Sequence, residues 1–482
     1  MKIQRRQLLK SLGAISIAAP TIGALSACSP RMGENLQLLP EPKLTPSSLD
    51  FSNAKVFKSG YLSIIQGPSS DTIVNINMFV PKLKKYIYEV VDASGTQYPV
   101  EVYKRVTGPT HFHVAKLKIV GLTPEVKYTL NVYDVSRSGA KGALLDQRFF
   151  QSLNTQKTQP RFGFVSCMAD DIRFDDVIDP MWNRLQEQNV DFLFLTGDLV
   201  YVDSFETVER LKATEFDIWQ RYIDSFRRIP VYHWTTLKPI FATWDDHDYG
   251  TNDGDRDFIG RENANRLFHA LFFADNIQDT WTMGPQGTTA VIKAFGQKFI
   301  LLDDRSFRQP NKNQTEQEPY GQWGEDQHKW LIANLAADTT PTWIFNGNQF
   351  FRGTDVTFVE SLAYNHPLEH KNFCEAIKLL NTPMVFASGD VHLSEVMQIP
   401  TDLVGFPTYE ITSSSMHSFL GGENKGWANT LRVPELLCTE FNFMVIQSEA
   451  IQRNTQRGFS IHLQSLGMAK TPYFETRLEV LR

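Results

Sequence analysis

Thr243-Trp244-Asp245-Asp246-His247-Asp248-Tyr249-Gly250 sets three carboxylates and an imidazole at four consecutive positions, directly after the short apolar run Pro239-Ile240-Phe241-Ala242. Like charges packed this closely repel one another, so the cluster is costly unless a cation shares it. Three further stretches repeat the pattern of a β-rich apolar run that breaks into polar residues. They are Phe164-Val165-Ser166-Cys167, Gly197-Asp198-Leu199-Val200-Tyr201-Val202-Asp203 and Ser388-Gly389-Asp390-Val391-His392, following runs that begin at Arg161, Asp191 and Pro383. Loops at the carboxyl ends of strands are where open α/β folds place their ligands. The four motifs together read as a phosphoesterase site holding several metal ions.

Each motif contributes a different donor. Asp198 and Tyr201 stand three apart in one turn and aim a carboxylate and a phenol at the same point. A carboxylate bridges two hard cations through its two oxygens. A phenolate, with an ordinary pKa of about 10, needs a strongly Lewis-acidic partner, ferric iron above all. The Cys167 thiolate is a soft donor that suits iron or zinc rather than magnesium. Asp246 is expected on a metal, and His247 beside the leaving group as general acid. Asn252-Asp253-Gly254-Asp255 is a turn whose oxygens serve calcium, or only the turn. Asp390 and His392 are expected on one side of an extended backbone by its period of two, with Glu395 orienting His392. Taken singly, the Asp198 loop reads as a plain turn and Cys167 as an inert buried thiol; the coincidence of four motifs in one segment carries the site. Weaker candidates are Arg305 and Arg308, for neutralising a phosphoryl group or for surface salt bridges. His366 and His417 lie in polar loops that could reach the pocket, and His233 has no argument beyond its type.

The first 27 residues read as a sorting address. Gln4-Arg5-Arg6-Gln7-Leu8-Leu9-Lys10 is a twin-arginine signature, and the apolar stretch Leu12 to Leu25 is too short for a permanent span. Leu25-Ser26-Ala27-Cys28 then has the form of a lipoprotein processing box, which would make Cys28 the lipidated first residue; an ordinary cleaved signal is the plainer alternative. Residues 28–52, with Ser29-Pro30, Pro40-Glu41-Pro42 and Pro46-Ser47-Ser48, read as a flexible tether. The expected protein is exported by the twin-arginine machinery and anchored in a membrane, facing the periplasm or the cell exterior. The chain carries a net charge of −6. Without the basic residues of the signal, 44 Lys and Arg face 54 Asp and Glu, a balance of −10, which argues against nucleic-acid or anionic-membrane binding. Four cysteines are too few for a disulfide scaffold. Cys374 and Cys438 are either a disulfide or, preferably, two buried thiols.

From 53 to 155 short strands alternate with turn signals and no helical period appears, which predicts a β-sandwich. Leu122-Thr123-Pro124-Glu125-Val126-Lys127-Tyr128 resembles the fibronectin type III pattern, in which a tyrosine hydroxyl ties a late strand back to its loop. From 156 to 482 strands alternate with helices. Helical spacing is expected over Asp175 to Gln188, Glu206 to Arg228 and from Trp323 onward, with strands returning over the last 45 residues.

Ser166-Cys167, the Gly-Asp-x-x-Tyr-x-Asp run at 197–203, Trp244-Asp245-Asp246-His247-Asp248, Asp304-Arg305-Ser306, Gln327-x-x-Trp330-Leu331, Gly389-Asp390-Val391-His392 and Thr412-Ser413-Ser414 together resemble the PhoD-like alkaline phosphatase/phosphodiesterase family of the metallophosphoesterases. The resemblance implies a four-layer α/β/β/α sandwich behind the N-terminal β-sandwich. It also implies hydrolysis of phosphomonoesters or phosphodiesters by metal-activated water. Ferric iron would fall on Cys167, Asp198 and Tyr201, with calcium beside it and Asp246, Asn252, Asp390 and His392 shared between the ions; zinc and manganese are second choices. Arg305 would meet the phosphate. Purple acid phosphatases share the sandwich-first layout, but their Gly-Asn-His and Gly-His-x-His motifs are replaced here by Asp245-Asp246-His247 and Gly389-Asp390-Val391-His392. A non-catalytic binding lipoprotein on the same scaffold is the remaining alternative.

Overall fold

The computed structural model describes residues 62–204, 214–311, 319–353, 360–420 and 429–482. The expected sorting signal, the expected tether and Cys28 lie outside the described residues, as does the stretch from 206 to 213 of the expected helix. Among the described residues no helix is long and apolar enough to cross a membrane.

Residues 64–150 form two four-stranded antiparallel sheets. Alternate residues of facing strands, among them Val74, Ile76, Leu117, Tyr128, Leu130 and Phe150, close a core between them. The tyrosine corner is present: the Tyr128 hydroxyl accepts the Thr123 N–H at 2.8 Å.

The rest of the chain builds two larger sheets. One has six strands, in the order Ile240–Thr243, Phe192–Thr196, Arg161–Val165, Phe443–Arg453, Gln456–Leu466, Phe474–Leu481. The first three of these run parallel, Thr196 level with Thr243 and Phe194 with Phe164. The second sheet has eight strands, of which Gln297–Leu301, Thr342–Phe345, Met384–Ser388 and Thr408–Thr412 are parallel neighbours in that order. These strands are apolar on both faces, as parallel strands must be when both faces are covered. The inner faces meet through aromatic rings: Phe194 stacks on Phe345 with centroids 4.0 Å apart, and Phe162 meets Trp343 edge-on at 5.6 Å. The helix Asp175–Gln186 covers the outer face of the six-stranded sheet through Ile178, Met181, Trp182 and Leu185; a Cβ on Gly163 of the sheet would strike Leu185, so helix and strand touch there. The helix Gly324–Ala336 covers the eight-stranded sheet, the Gln327 side chain bonding both the N–H and the C=O of Asp303. The architecture is the four-layer α/β/β/α sandwich expected for a metallophosphoesterase.

The β-sandwich is bolted to this body. Arg148, fully buried, donates to both oxygens of Asp146 and to the carbonyls of Leu62, Trp234 and Tyr232. Lys116 donates to three carbonyls, those of His269, Ala270 and Phe273, at the end of the helix Arg261–Phe272. Burial lowers its pKa to about 7. Cys374 and Cys438 are free buried thiols.

Candidate metal centre

Seven parallel strands, three from one sheet and four from the other, end at the same edge of the sandwich. Cys167, Asp198 and Asp245–Asp248 follow the strands of the first sheet, and Asp303–Arg305, Asn346–Asn348, Asp390–His392 and Ser413–Ser415 those of the second. Two glycines let the loops close in. A Cβ on Gly197, whose φ is +81°, would lie 2.6 Å from the Asp245 Cβ, and one on Gly389 would lie 2.6 Å from the Thr196 carbonyl oxygen. Four candidate ligands are themselves in the left-handed region: Cys167 at φ 55°, Asp198 at 58°, Asp390 at 70° and His392 at 55°. Such backbone is costly for residues with a Cβ and concentrates at functional sites. It also corrects one expectation. Asp390 and His392 are not on an extended strand, and the left-handed turns rather than a period of two set their directions.

The Cys167 sulfur, a carboxylate oxygen of Asp198 and a ring nitrogen of His392 all lie within 4.8 Å of one another. Asp198, Asp246 and His247 form a second such group, so Asp198 stands between two clusters. Its Oδ2 is 3.4 Å from Cys167 Sγ and 3.3 Å from the Tyr201 hydroxyl, while its buried Oδ1 has no protein partner. Tyr201 also bonds the Ser418 hydroxyl at 2.8 Å, and Ser414 donates to Cys167 Sγ at 3.1 Å. Burial and the charge of Asp198 push the Cys167 thiol up, against the Ser166 and Ser414 hydroxyls. Burial likewise raises Asp198, aided by Asp246, Asp248 and Asp390 and opposed by His247. A buried thiol and carboxylates that resist ionising together, with a carboxylate oxygen left without a partner, fit a bound cation. The soft sulfur and the hard oxygens fit ions of two kinds. Asn252 and Asp390 sit at the edge of this set. The Asn252 N–H bonds Asp203 at 3.1 Å and its buried Oδ1 has no partner, while the Asp390 carbonyl lies 3.9 Å from Cys167 Sγ.

His247 is held at one ring nitrogen. Its Nδ1 is 2.8 Å from Asp203 Oδ1, its ring lies 4.2 Å from that of Tyr201, and its buried Nε2 has no protein partner. Burial would lower its pKa, but the carboxylates of Asp203, Asp246 and Asp198 hold it well above the usual range. Asp248 plays a different part from its neighbours. Its Oδ1 takes the Leu199 and Val200 N–H groups at 2.7 and 2.8 Å, and its Oδ2 that of Asp245 at 3.1 Å. It clamps the loop at 197–203 to the one at 245–248. Burial lifts its carboxyl to about 7, although backbone N–H bonds from Asp245, Val200, Leu199 and Asp198 oppose the rise.

Arg305 is fully buried and fully engaged. It pairs with Asp245, with Glu360 at 2.7 Å and with the Gly254 carbonyl at 3.3 Å. Arg308 reaches the other oxygen of Glu360 at 2.8 Å. Neither is a surface salt bridge, and Arg305 spends its guanidinium on holding two loops beside Asp246 and Asp253, which form a third acidic group with Glu360. His366 is buried on the same flank, beside Gly321, and both its ring nitrogens lack protein partners. His417 does not reach the pocket: its Nε2 accepts the Trp182 indole N–H at 2.8 Å and its Nδ1 faces the Ala169 carbonyl at 2.9 Å, deep in the core. Glu395 is bound by Gln349, Asn429 and Arg432. His233 bonds the Phe226 carbonyl at 2.9 Å, ahead of the strand Ile240–Thr243 rather than beyond its carboxyl end.

Sequence reasoning missed Asp203 as the partner of His247, Ser414 as the donor to Cys167, and the Asp304–Asn346–Asn348 group, in which Asp304 Oδ2 takes the Asn348 N–H at 2.9 Å. A signal existed for each: Asp203 closes the Gly-Asp-x-x-Tyr-x-Asp run, Ser414 closes Thr412-Ser413-Ser414, and Asn346-Gly347-Asn348 follows an apolar run like the other four.

Two solved structures share the fold. One described as the structure of PhoD has a TM-score of 0.59 and 15% identity, covering 86% of this chain and 91% of its own. The other is the purple acid phosphatase PPD1 from yellow lupin (Lupinus luteus) seeds, with a TM-score of 0.55 and 11% identity, covering 86% of this chain and 73% of its own. No curated protein sequence matches the chain. Residues 162–462, which hold all seven strand ends, match the profile of the family described as PhoD-like phosphatase, and the chain belongs to that family: it is a metal-dependent phosphoric ester hydrolase.

Proposed function

We propose that the protein hydrolyses phosphomonoesters or phosphodiesters outside the cytoplasm, at a centre of ferric iron and calcium. The observation that carries the reading is the position of Asp198, shared between a group with Cys167 and His392 and a group with Asp246 and His247. Cys167, Asp198, Tyr201 and His392 would hold iron, and Asp246, Asn252 and Asp390 the calcium beside it. Metal ions so held supply a water of lowered pKa and take up charge on the phosphoryl oxygens.

The chain's own groups supply the rest. Asp203 fixes the His247 ring through Nδ1, which leaves Nε2 as the atom that hands a proton to the departing oxygen. Arg305 balances Asp245 and Glu360 and keeps the carboxylates at working distance. Asp248 holds two ligand loops in register through three backbone N–H groups. The β-sandwich, read as a separate domain up to residue 155, stiffens the body through Arg148 and Lys116.

The twin-arginine route exports folded proteins, which suits a site loaded with metal before export, and a lipid on Cys28 would keep the enzyme at a membrane. Fractionation of a Cys28→Ser variant tests the anchor, and a variant still in the membrane fraction counts against it. The reaction is tested with His247→Ala. Turnover should fall about a hundredfold or more on alkyl phosphates, whose leaving oxygen needs a proton, and less on aryl phosphates with good leaving groups. Equal losses on both would remove His247 from the acid role. A metal-replete wild type that hydrolyses neither aryl phosphomonoesters nor bis-aryl phosphodiesters would favour the non-catalytic binding lipoprotein.

A further inference from the structure

The run Ser413-Ser414-Ser415-Met416-His417-Ser418 leaves the strand Thr408–Thr412 and is buried throughout. Buried hydroxyls are costly unless they are bonded. Two of its serines bond backbone near the metal centre: Ser413 donates to the Phe164 carbonyl at 2.7 Å, and Ser415 lies 3.5 Å from that of Cys167. The other two reach candidate iron ligands themselves. Ser414 Oγ accepts the His392 N–H at 2.8 Å and donates to Cys167 Sγ at 3.1 Å. Ser418 Oγ is 2.8 Å from the Tyr201 hydroxyl.

The run is fastened along its length. The Met416 and His417 N–H groups donate to the Ser166 and Cys167 carbonyls at 3.0 and 3.2 Å. His417 then works as a peg, its ring held at one nitrogen by the Trp182 indole N–H and at the other by the Ala169 carbonyl. The Ser414 N–H bonds Ser394 Oγ at 2.9 Å, and the Ser418 N–H bonds Ser415 Oγ at 2.8 Å. The two ligand-facing hydroxyls are thereby held in place.

We propose that Ser414 and Ser418 are positioning residues that act through Cys167 and Tyr201, setting how much negative charge these two ligands pass to the metal. The inference rests on the ferric assignment made above. A thiolate and a phenolate are both electron-rich, and the more charge they give, the less pull the ion retains for phosphoryl oxygens. An O–H donated to each draws part of that charge back, the means by which hydrogen bonds tune metal sites. As a phenolate Tyr201 has no proton of its own, so Ser418 is the donor. At Ser414 the chain from the His392 N–H through Oγ–H to Sγ runs in one direction, and each bond polarises the next. It also links two members of one ligand group, Cys167 and His392.

The test is the absorption spectrum and the reduction potential, one electron per iron, of the iron-loaded wild type and three variants. Ser414→Ala and Ser418→Ala should each move charge-transfer absorption to longer wavelength. Each should also favour the ferric form about tenfold, a fall of about 59 mV in potential. Ser413→Ala removes a hydroxyl from the same run without touching a ligand, and should match the wild type in both readings. In a Tyr201→Phe background Ser418→Ala should have no effect, while Ser414→Ala keeps its own. The two serines act on different ligands, so either variant decides the matter if the other fails to fold. If iron-loaded Ser414→Ala and Ser418→Ala keep the wild-type band and potential, or Ser413→Ala shifts them as far, the inference is overturned while the iron assignment stands. A wild type without ferric iron overturns both.

Discussion

Replacing Asp203 by Asn should separate the orientation of His247 from the metal chemistry around it. The carboxylate makes two bonds, to His247 Nδ1 at 2.8 Å and to the Asn252 N–H at 3.1 Å, and it lies nearly buried. An amide of the same shape keeps the second bond through its oxygen but can present an N–H to the imidazole, favouring the wrong tautomer. A hydrogen bond to a charged group contributes roughly 1.5–3 kcal/mol, which converts to about 10- to 150-fold in rate if it is expressed in the transition state. The expected result is a fall in kcat of that size on alkyl phosphates, a much smaller fall on aryl phosphates, and metal content within a few per cent of wild type. Asp203 acts only through His247, so the Asp203→Asn/His247→Ala double variant should be no slower than His247→Ala alone. Kinetics on both substrate classes, with metal analysis of each variant, are the assay. A double variant slower by the product of the two single effects would show that Asp203 works independently of the histidine, and the reasoning would fail.

Tyr201→Phe should bleach or shift the visible charge-transfer absorption expected of a phenolate on ferric iron; a colourless, fully active zinc-only wild type would sink the iron assignment. Arg148→Met should cost about 3–5 kcal/mol in denaturant unfolding, because it leaves the Asp146 charge buried without its counter-ion and takes the donor from the Leu62, Trp234 and Tyr232 carbonyls; Arg148→Met/Asp146→Leu should recover only part of that, since those carbonyls and the Leu62 N–H stay without partners, and a single variant as stable as the wild type would refute the account. His417 has its pKa lowered to about 4, burial being the main cause, against about 6.5 unfolded. The folded state therefore binds fewer protons between those values, and the contribution, complete above pH 6.5, is lost as pH falls through 4. It amounts to about 3 kcal/mol. Unfolding midpoints of the wild type should drop more steeply over that window than those of His417→Asn, and parallel curves would count against the assignment.

Most of the metal centre could be read from the chain because its donors sit in short runs beside apolar strands. That Cys167, Asp198, Asp246 and His247 come together is legible for that reason. What could not be read depends on pairings across long separations. Arg305 looks like a phosphate-binding arginine from Asp304-Arg305-Ser306, yet its partners Asp245 and Glu360 lie 60 and 55 residues away. His417 looks like a loop histidine until Trp182, 235 residues earlier, is found against it. The expectation that Asp390 and His392 lie on an extended backbone failed: both residues have positive φ, so a period of two does not set their directions. The tyrosine corner, by contrast, spans five residues and was legible in full.

The six-stranded sheet has a consequence for the order of assembly. The strand that carries Cys167 is flanked on one side by Phe192–Thr196 and on the other by Phe443–Arg453, which in turn holds the two last strands of the chain. All the candidate metal ligands have been synthesised by residue 392, yet the sheet that orients the first of them stays half-built until the final forty or so residues are made. During synthesis the nascent chain therefore carries its donors before it carries their scaffold. Metal capture would then wait for the strands beyond residue 442, and a message truncated there would yield a chain with every candidate ligand and without the strand that flanks Arg161–Val165.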